Sequence, residues 1–143
     1  SVELVKRFLN GGFPLAPNIS FGIVDVRDVA QLHLLALESP QASGNRFIAS
    51  SETLAIPLIS EFLRKKIPEY QKRLPKGTAP DFLIKLLGFF SPLMKTVANQ
   101  LGKTKELDNS KAKNILGWQP RSGEEAVIAS AKSLIEFDIV KSP

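Results

Sequence analysis

Phe21-Gly22-Ile23-Val24-Asp25-Val26-Arg27-Asp28-Val29-Ala30, continuing as Gln31-Leu32-His33-Leu34-Leu35-Ala36-Leu37, is the stretch around which the chain is organised. Its first half is a short apolar run with β-branched Ile23, Val24 and Val26, residues that suit a pleated, half-buried surface. Its second half is apolar around most of a helical circumference, which predicts a buried helix. A strand over 23–26 therefore passes directly into a helix. Asp25 or Asp28 can cap that helix, because a short carboxylate accepts a hydrogen bond from a free backbone N–H of the first turn. Such a strand, followed by a buried helix, wants neighbours in a larger parallel sheet.

Working outward, residues 1–9 place Val2, Leu4, Val5, Phe8 and Leu9 at helical spacing. Asn10-Gly11-Gly12 supplies a left-handed stop, and residues 13–20, with Pro14 and Pro17, form an extended loop. On the other side, Pro40 stops the organising helix. Residues 46–50 read as a second short strand. A helix is expected over 56–67, with Pro57 in its first turn and Pro68 as its end. Residues 69–80 are irregular, with one extended piece near Arg73-Leu74. Asp81 then caps a helix bearing Phe82, Leu83, Ile84, Leu86, Leu87, Phe89 and Phe90, broken at Pro92. A further turn or two runs over 93–101, with Gly102 as the stop. Glu106-Leu107-Asp108 is a short extended piece, and Asn109 or Ser110 caps a helix ending at Leu116-Gly117. Ser122 and Glu125 stand at capping-box spacing and open a final helix to Phe137. The sum is an α/β chain, mostly helical, with two or three short strands. Two such strands make no stable sheet alone, so the pattern is that of a fragment.

A chain of 143 residues is long enough for one domain with a core. The net charge is +5, but the basic residues are scattered, as on a solvated face. With one Trp and one Tyr, stacking on bases has little support, so no nucleic-acid partner is expected. The most apolar stretch, 82–94, is interrupted by Lys85 and Pro92, and no membrane span is expected. The absence of cysteine excludes a disulfide framework and thiolate chemistry. With no secretory pattern at the start, a cytoplasmic setting is expected.

Searches for catalytic motifs come back empty. The nine glycines nowhere form a dinucleotide fingerprint. Gly102-Lys103-Thr104 looks like the tail of a phosphate loop, but Val97 stands where its first glycine belongs. Ser110 and Lys113 have acylase spacing without the companion motifs, and mark a helix start. His33, the only histidine, leaves no His-rich metal site, and on a buried helix it reads as a hydrogen-bonded core residue. Asp25 and Asp28 read as a cap plus a salt bridge to Arg27 rather than an acid–base pair. Tyr70 has Leu74, not lysine, four residues on. The stripe over 82–90 reads as core or pocket wall. No catalytic, cofactor-binding or metal-ligating residue is assigned.

Three blocks nevertheless stand in order: Val24-Asp25-Val26-Arg27-Asp28-Val29-Ala30 with His33 and Ala36-Leu37; Pro40, Ala42 and Gly44-Asn45-Arg46-Phe47-Ile48; and Asp108-Asn109-Ser110-Lys111-Ala112 with Leu116-Gly117-Trp118 and Pro120-Arg121. Together they resemble the C-terminal part of the extended short-chain dehydrogenase/reductases, within these the dihydroflavonol 4-reductase-like group. The resemblance implies a piece of a Rossmann-type enzyme that passes a hydride from NADP(H) or NAD(H) to a ketone or aldehyde. The family's Gly-rich turn and its Ser–Tyr–Lys set would lie upstream of Ser1. Residues 1–143 are then one substrate-binding region, inactive and without cofactor by itself, acting on a small carbonyl substrate within the full-length parent. Ile19, Ser20, Phe21 and Gly22 match a segment lining the family's substrate pocket. Residues 81–94, with Phe82 and Phe89, resemble the part that closes over it. The alternatives are a sugar-nucleotide epimerase or dehydratase of the same superfamily, or a binding module without chemistry. Exposed core surface makes self-association a further expectation.

Overall fold

The computed structural model describes residues 2–143. Helix α1 (Val2–Leu9) buries Val5, Phe8 and Leu9 and carries a Glu3–Arg7 ion pair of 2.9 Å on its outer face. Gly11, at φ 74°, turns the chain out of it, as Asn10-Gly11-Gly12 predicts. Strand β1 (Ser20–Ile23) pairs antiparallel with β2 (Glu52–Ala55), with Ser20 opposite Ala55 and Ile23 opposite Glu52. Ile56 donates its N–H to the Ile19 carbonyl at 2.9 Å and Ser51 to that of Ile23 at 2.8 Å, closing the ribbon at both ends. Between the strands lie helix α2 (Val26–Glu38) and a 3-10 turn, Pro40–Ala42. Beyond β2 come α3 (Ile56–Lys66), a second 3-10 turn at Pro68–Tyr70, α4 (Asp81–Leu87), α5 (Pro92–Ala98), α6 (Ser110–Leu116) and α7 (Gly123–Glu136).

The main core forms where α1, α3 and α7 meet the ribbon. Phe8, Leu9, Ile59, Leu63, Leu74, Val127, Ala131 and Leu134 are all buried there, and Phe13 meets Phe8 edge to face at 5.6 Å. A second cluster gathers Leu32, Ala112, Leu116 and Trp118 between α2 and α6. Polar groups lock it. The Trp118 indole donates to the Asp28 carbonyl at 2.8 Å. The Arg121 backbone N–H donates to the Asp28 carboxylate at 2.7 Å, and the Arg121 guanidinium pairs with the same group.

Several expectations shift. The first strand occupies 20–23 rather than 23–26, because Asp25 is the helix cap: its carboxylate accepts from the Arg27 N–H at 2.9 Å. Asp28 instead faces Arg121. No strand forms over 46–50. The carbonyls of Ser50 and Ser51 accept from the Asn109 side-chain amide at 2.7 and 3.1 Å, and the ribbon begins at Glu52. Asn109 is thereby lost as a side-chain cap for α6, and Asp108 accepts from the Ser110 N–H at 2.8 Å. Nor do Arg73-Leu74 or 106–108 form strands; an isolated bridge joins Ala16 to Thr78. Asp81 is the first residue of α4, not its cap, and Pro80 holds the cap position without a side-chain bond. Among the described residues the two strands pair antiparallel with each other and with no further strand.

The largest departure is α2. Only Asp28 and Leu32 are buried on it. Val26, Ala30, Leu34 and Leu37 form an apolar stripe along the opposite face, with Leu37 83% exposed. His33 is exposed as well, and its Nδ1 bonds the Val29 carbonyl at 2.8 Å. Among the described residues the helix packs on α6, Trp118 and the Pro40–Ala42 turn, and its apolar circumference exceeds what they cover. The capping box at Ser122 and Glu125, Pro57 in the first turn of α3, and left-handed Gly102 and Gly117 all stand as the sequence predicts.

Candidate functional site

Two grooves adjoin the predicted pocket residues. The first, of about 670 Å3, runs between β1, the start of α2, α1 and α7. Gly22, Ile23, Val24, Val26, Val127 and Leu134 give it apolar walls, and Asp25, Arg27, Ser130 and Ser133 add polar groups. Asp25 is already spent: its carboxylate takes two hydrogen bonds from the Arg27 guanidinium, at 2.9 and 2.6 Å. Those bonds, with the Arg27 backbone N–H, push the Asp25 carboxyl down to about 2 against the cost of burial. It is a fixed anion at neutral pH, suited to holding Arg27 rather than to moving a proton.

The second groove, of about 660 Å3, lies between α4 and α5. Ser91 caps α5, with Pro92 at its first turn, so the chain reverses through Gly88, Phe89 and Phe90 and the two short helices pack on each other. Phe89 and Phe90 are 84% and 82% exposed at the bend. Lys85, Lys95, Ala98 and Asn99 complete the lining.

The predicted residues divide between these places. Ile19 is buried in the main core, Ser20 is half-buried, and Phe21 is exposed on β1. Gly22 lines the first groove. A Cβ on Gly22 would strike the Leu107 side chain and lie 2.8 Å from the Ser50 hydroxyl, so the chain leaving α5 lies directly on β1. Thr53 ties the same segment down by donating to the Lys105 carbonyl at 3.0 Å. Phe89 lines the second groove, and Phe82, on the preceding helix, lines neither. The grooves share no lining residue. Sequence reasoning passed over Lys85 and Lys95. Lys85 was visible as the charge that breaks the apolar run 82–94, but counted only against a membrane span.

Neither longer helix near the first groove offers a phosphate seat. The N-terminus of α2 holds Asp25 and Asp28. That of α7 holds the Ser122–Glu125 capping box, and Gly123 donates its N–H to the Glu52 carboxylate at 2.5 Å. A pyrophosphate would meet carboxylates where it needs free N–H groups. Among the described residues no three His, Asp or Glu side chains group to hold a metal ion, and no helix is long and apolar enough to cross a membrane.

No family model matches the chain. It is 34% identical over 134 residues to a ketoreductase, azaE, of Aspergillus niger, a match covering 93% of this chain and 34% of that protein. It is 29% identical over 122 residues to the NADPH-dependent methylglyoxal reductase GRE2 of Saccharomyces cerevisiae, covering 85% of this chain and 31% of that one. The crystal structure of the yeast methylglyoxal/isovaleraldehyde reductase Gre2 complexed with NADPH superposes with a TM-score of 0.69 at 27% identity, over 96% of this chain and 41% of that chain. The chain thus spans about a third of the length of the curated relatives it matches. The ribbon-and-helix arrangement and these matches place it with the extended short-chain dehydrogenase/reductases, in their dihydroflavonol 4-reductase-like group.

Proposed function

We propose that residues 1–143 are the substrate-binding region of an NAD(P)H-dependent reductase of ketones or aldehydes, whose dinucleotide-binding part lies outside this sequence. One observation carries this reading. Nearly the whole chain matches a ketoreductase about three times its length, yet the N-termini of α2 and α7, beside the first groove, hold carboxylates where a dinucleotide needs open amides. The N-termini of α2 and α7 do not fit the phosphates of a nicotinamide cofactor. What these residues supply is walls: Gly22 and Ile23 in the first groove, Phe89 in the second, with the 102–108 segment laid on the ribbon through Leu107 against Gly22 and Lys105 bonded to Thr53.

The apolar stripe of α2 supports the same reading. An apolar face on an otherwise anchored helix is suited to a permanent protein neighbour, here the rest of the parent. The test is NADPH oxidation with methylglyoxal as carbonyl probe, run on the 143-residue chain and on the whole gene product. The whole product turns over and the chain alone does not. Turnover by the chain alone, or a whole product without reductase activity toward any of a panel of aldehydes and ketones, overturns the proposal.

A further inference from the structure

The groove between α4 and α5 combines two chemistries. Phe89 and Phe90 stand at its rim, and Lys85 and Lys95 reach it from the two helices. No carboxylate lines it, and neither lysine is in an ion pair among the described residues. Gly88 sets the approach: a Cβ there would lie 3.3 Å from the Lys95 Cα and 3.1 Å from the Lys85 carbonyl. The start of α5 therefore comes directly against the end of α4, and both lysines serve one opening. The first groove is different. Its one basic residue, Arg27, is neutralised by Asp25.

A volume of about 660 Å3 is that of a small-molecule site. Aromatic rims suit planar apolar bodies, and unpaired ammonium groups suit anions. We propose that the carbonyl compounds taken by this region carry an anionic group on an apolar body. Lys85 and Lys95 receive the anion, and Phe89 and Phe90 cover the body. This assignment rests on the substrate-binding function proposed above and narrows it to a substrate class.

The test is an amide chemical-shift titration of the 143-residue chain with three probes. Phenylpyruvate has the ring, the carbonyl and the anion; phenylacetone lacks the anion; pyruvate lacks the ring. Phenylpyruvate shifts amides across 85–99 and binds at least about fivefold more tightly than either partial probe, with an advantage over phenylacetone that shrinks as salt is added. The double variant Lys85→Gln/Lys95→Gln removes that advantage. Equal binding of phenylpyruvate and phenylacetone at these amides, or an advantage that survives the double variant, overturns the anion assignment while substrate binding stands. Pyruvate binding as tightly as phenylpyruvate overturns the assignment of the apolar body. No shift within 85–99 from any probe, in a chain whose spectrum is dispersed and folded, overturns the substrate-binding reading of the hairpin together with the assignment.

Discussion

Helix α2 and the α4–α5 hairpin both hold large apolar side chains in water, and they do so differently. The exposed face of α2 is an apolar stripe of Val26, Ala30, Leu34 and Leu37, edged by Arg27, His33 and Glu38, on a helix pinned from behind by Trp118 and Arg121. The hairpin packs chiefly on itself, its phenylalanines stand at a bend, and lysines flank them. Apolar surface on a rigid support is what a lasting protein interface uses at its centre. Apolar surface edged with cations, on a loosely held element, is suited to a partner that comes and goes. On the proposed function, the two exposed apolar surfaces are read differently, by how firmly each is anchored.

Breaking the anchor of α2 gives the largest effect. Trp118 is fully buried, so Trp118→Ala is expected to cost about 3–5 kcal/mol, read as a shift in the urea midpoint. That is most of the stability of a small domain, and the variant should lose α2 first. Asp28→Ala removes the acceptor for two Arg121 groups. Because the Arg121 side chain is itself partly in water, the loss is expected at about 2 kcal/mol, below the range for a fully buried pair. A double-mutant cycle with Arg121→Ala should return a coupling of about 1 kcal/mol or more.

Acid probes the same end of α2. The folded Asp25 carboxyl titrates at about 2, below the value near 4 of an unfolded aspartate. Its contribution is complete above about pH 4 and is lost as pH falls from about 4 toward 2. With Arg27 half in water, roughly 1–2 kcal/mol should disappear across that window. Arg27→Ala should flatten the slope of denaturation midpoint against pH. The smallest effects on folding belong to the exposed faces. Leu34→Glu/Leu37→Glu and Phe89→Ser should each change the chain's stability by no more than about 0.5 kcal/mol per site. They should separate in what they abolish. If the α2 stripe drives the chain to associate, the α2 pair should remove the concentration dependence of its sedimentation and Phe89→Ser should not.

Features decided within a few residues were legible in the sequence. The Ser122–Glu125 box, Pro57 and Pro68 around α3, and the left-handed glycines each depend on local geometry alone. What was not legible depended on distant partners. The strand expected over 46–50 gave up the Ser50 carbonyl to Asn109, 59 residues downstream. The burial expected of α2 followed from its apolar composition, but composition says only that a face wants cover, not that the same stretch of chain supplies it. The residues expected at a pocket illustrate both cases. Ile19, Ser20, Phe21 and Gly22 are contiguous and stayed together on and beside β1. Phe82 and Phe89 were expected on one helix, yet α4 ends at Leu87, because Gly88 lets the chain fold back closely against Lys95.

Hydroxyl-radical footprinting tests the distinction most directly, comparing the 143-residue chain with the same residues in the whole gene product. The account predicts that Leu34 and Leu37 react in the chain alone and are protected in the whole product, while Phe89 and Phe90 stay reactive in both until a carbonyl ligand is added. Equal reactivity of Leu34 and Leu37 in the two samples, or a gene product no longer than these 143 residues, would contradict it.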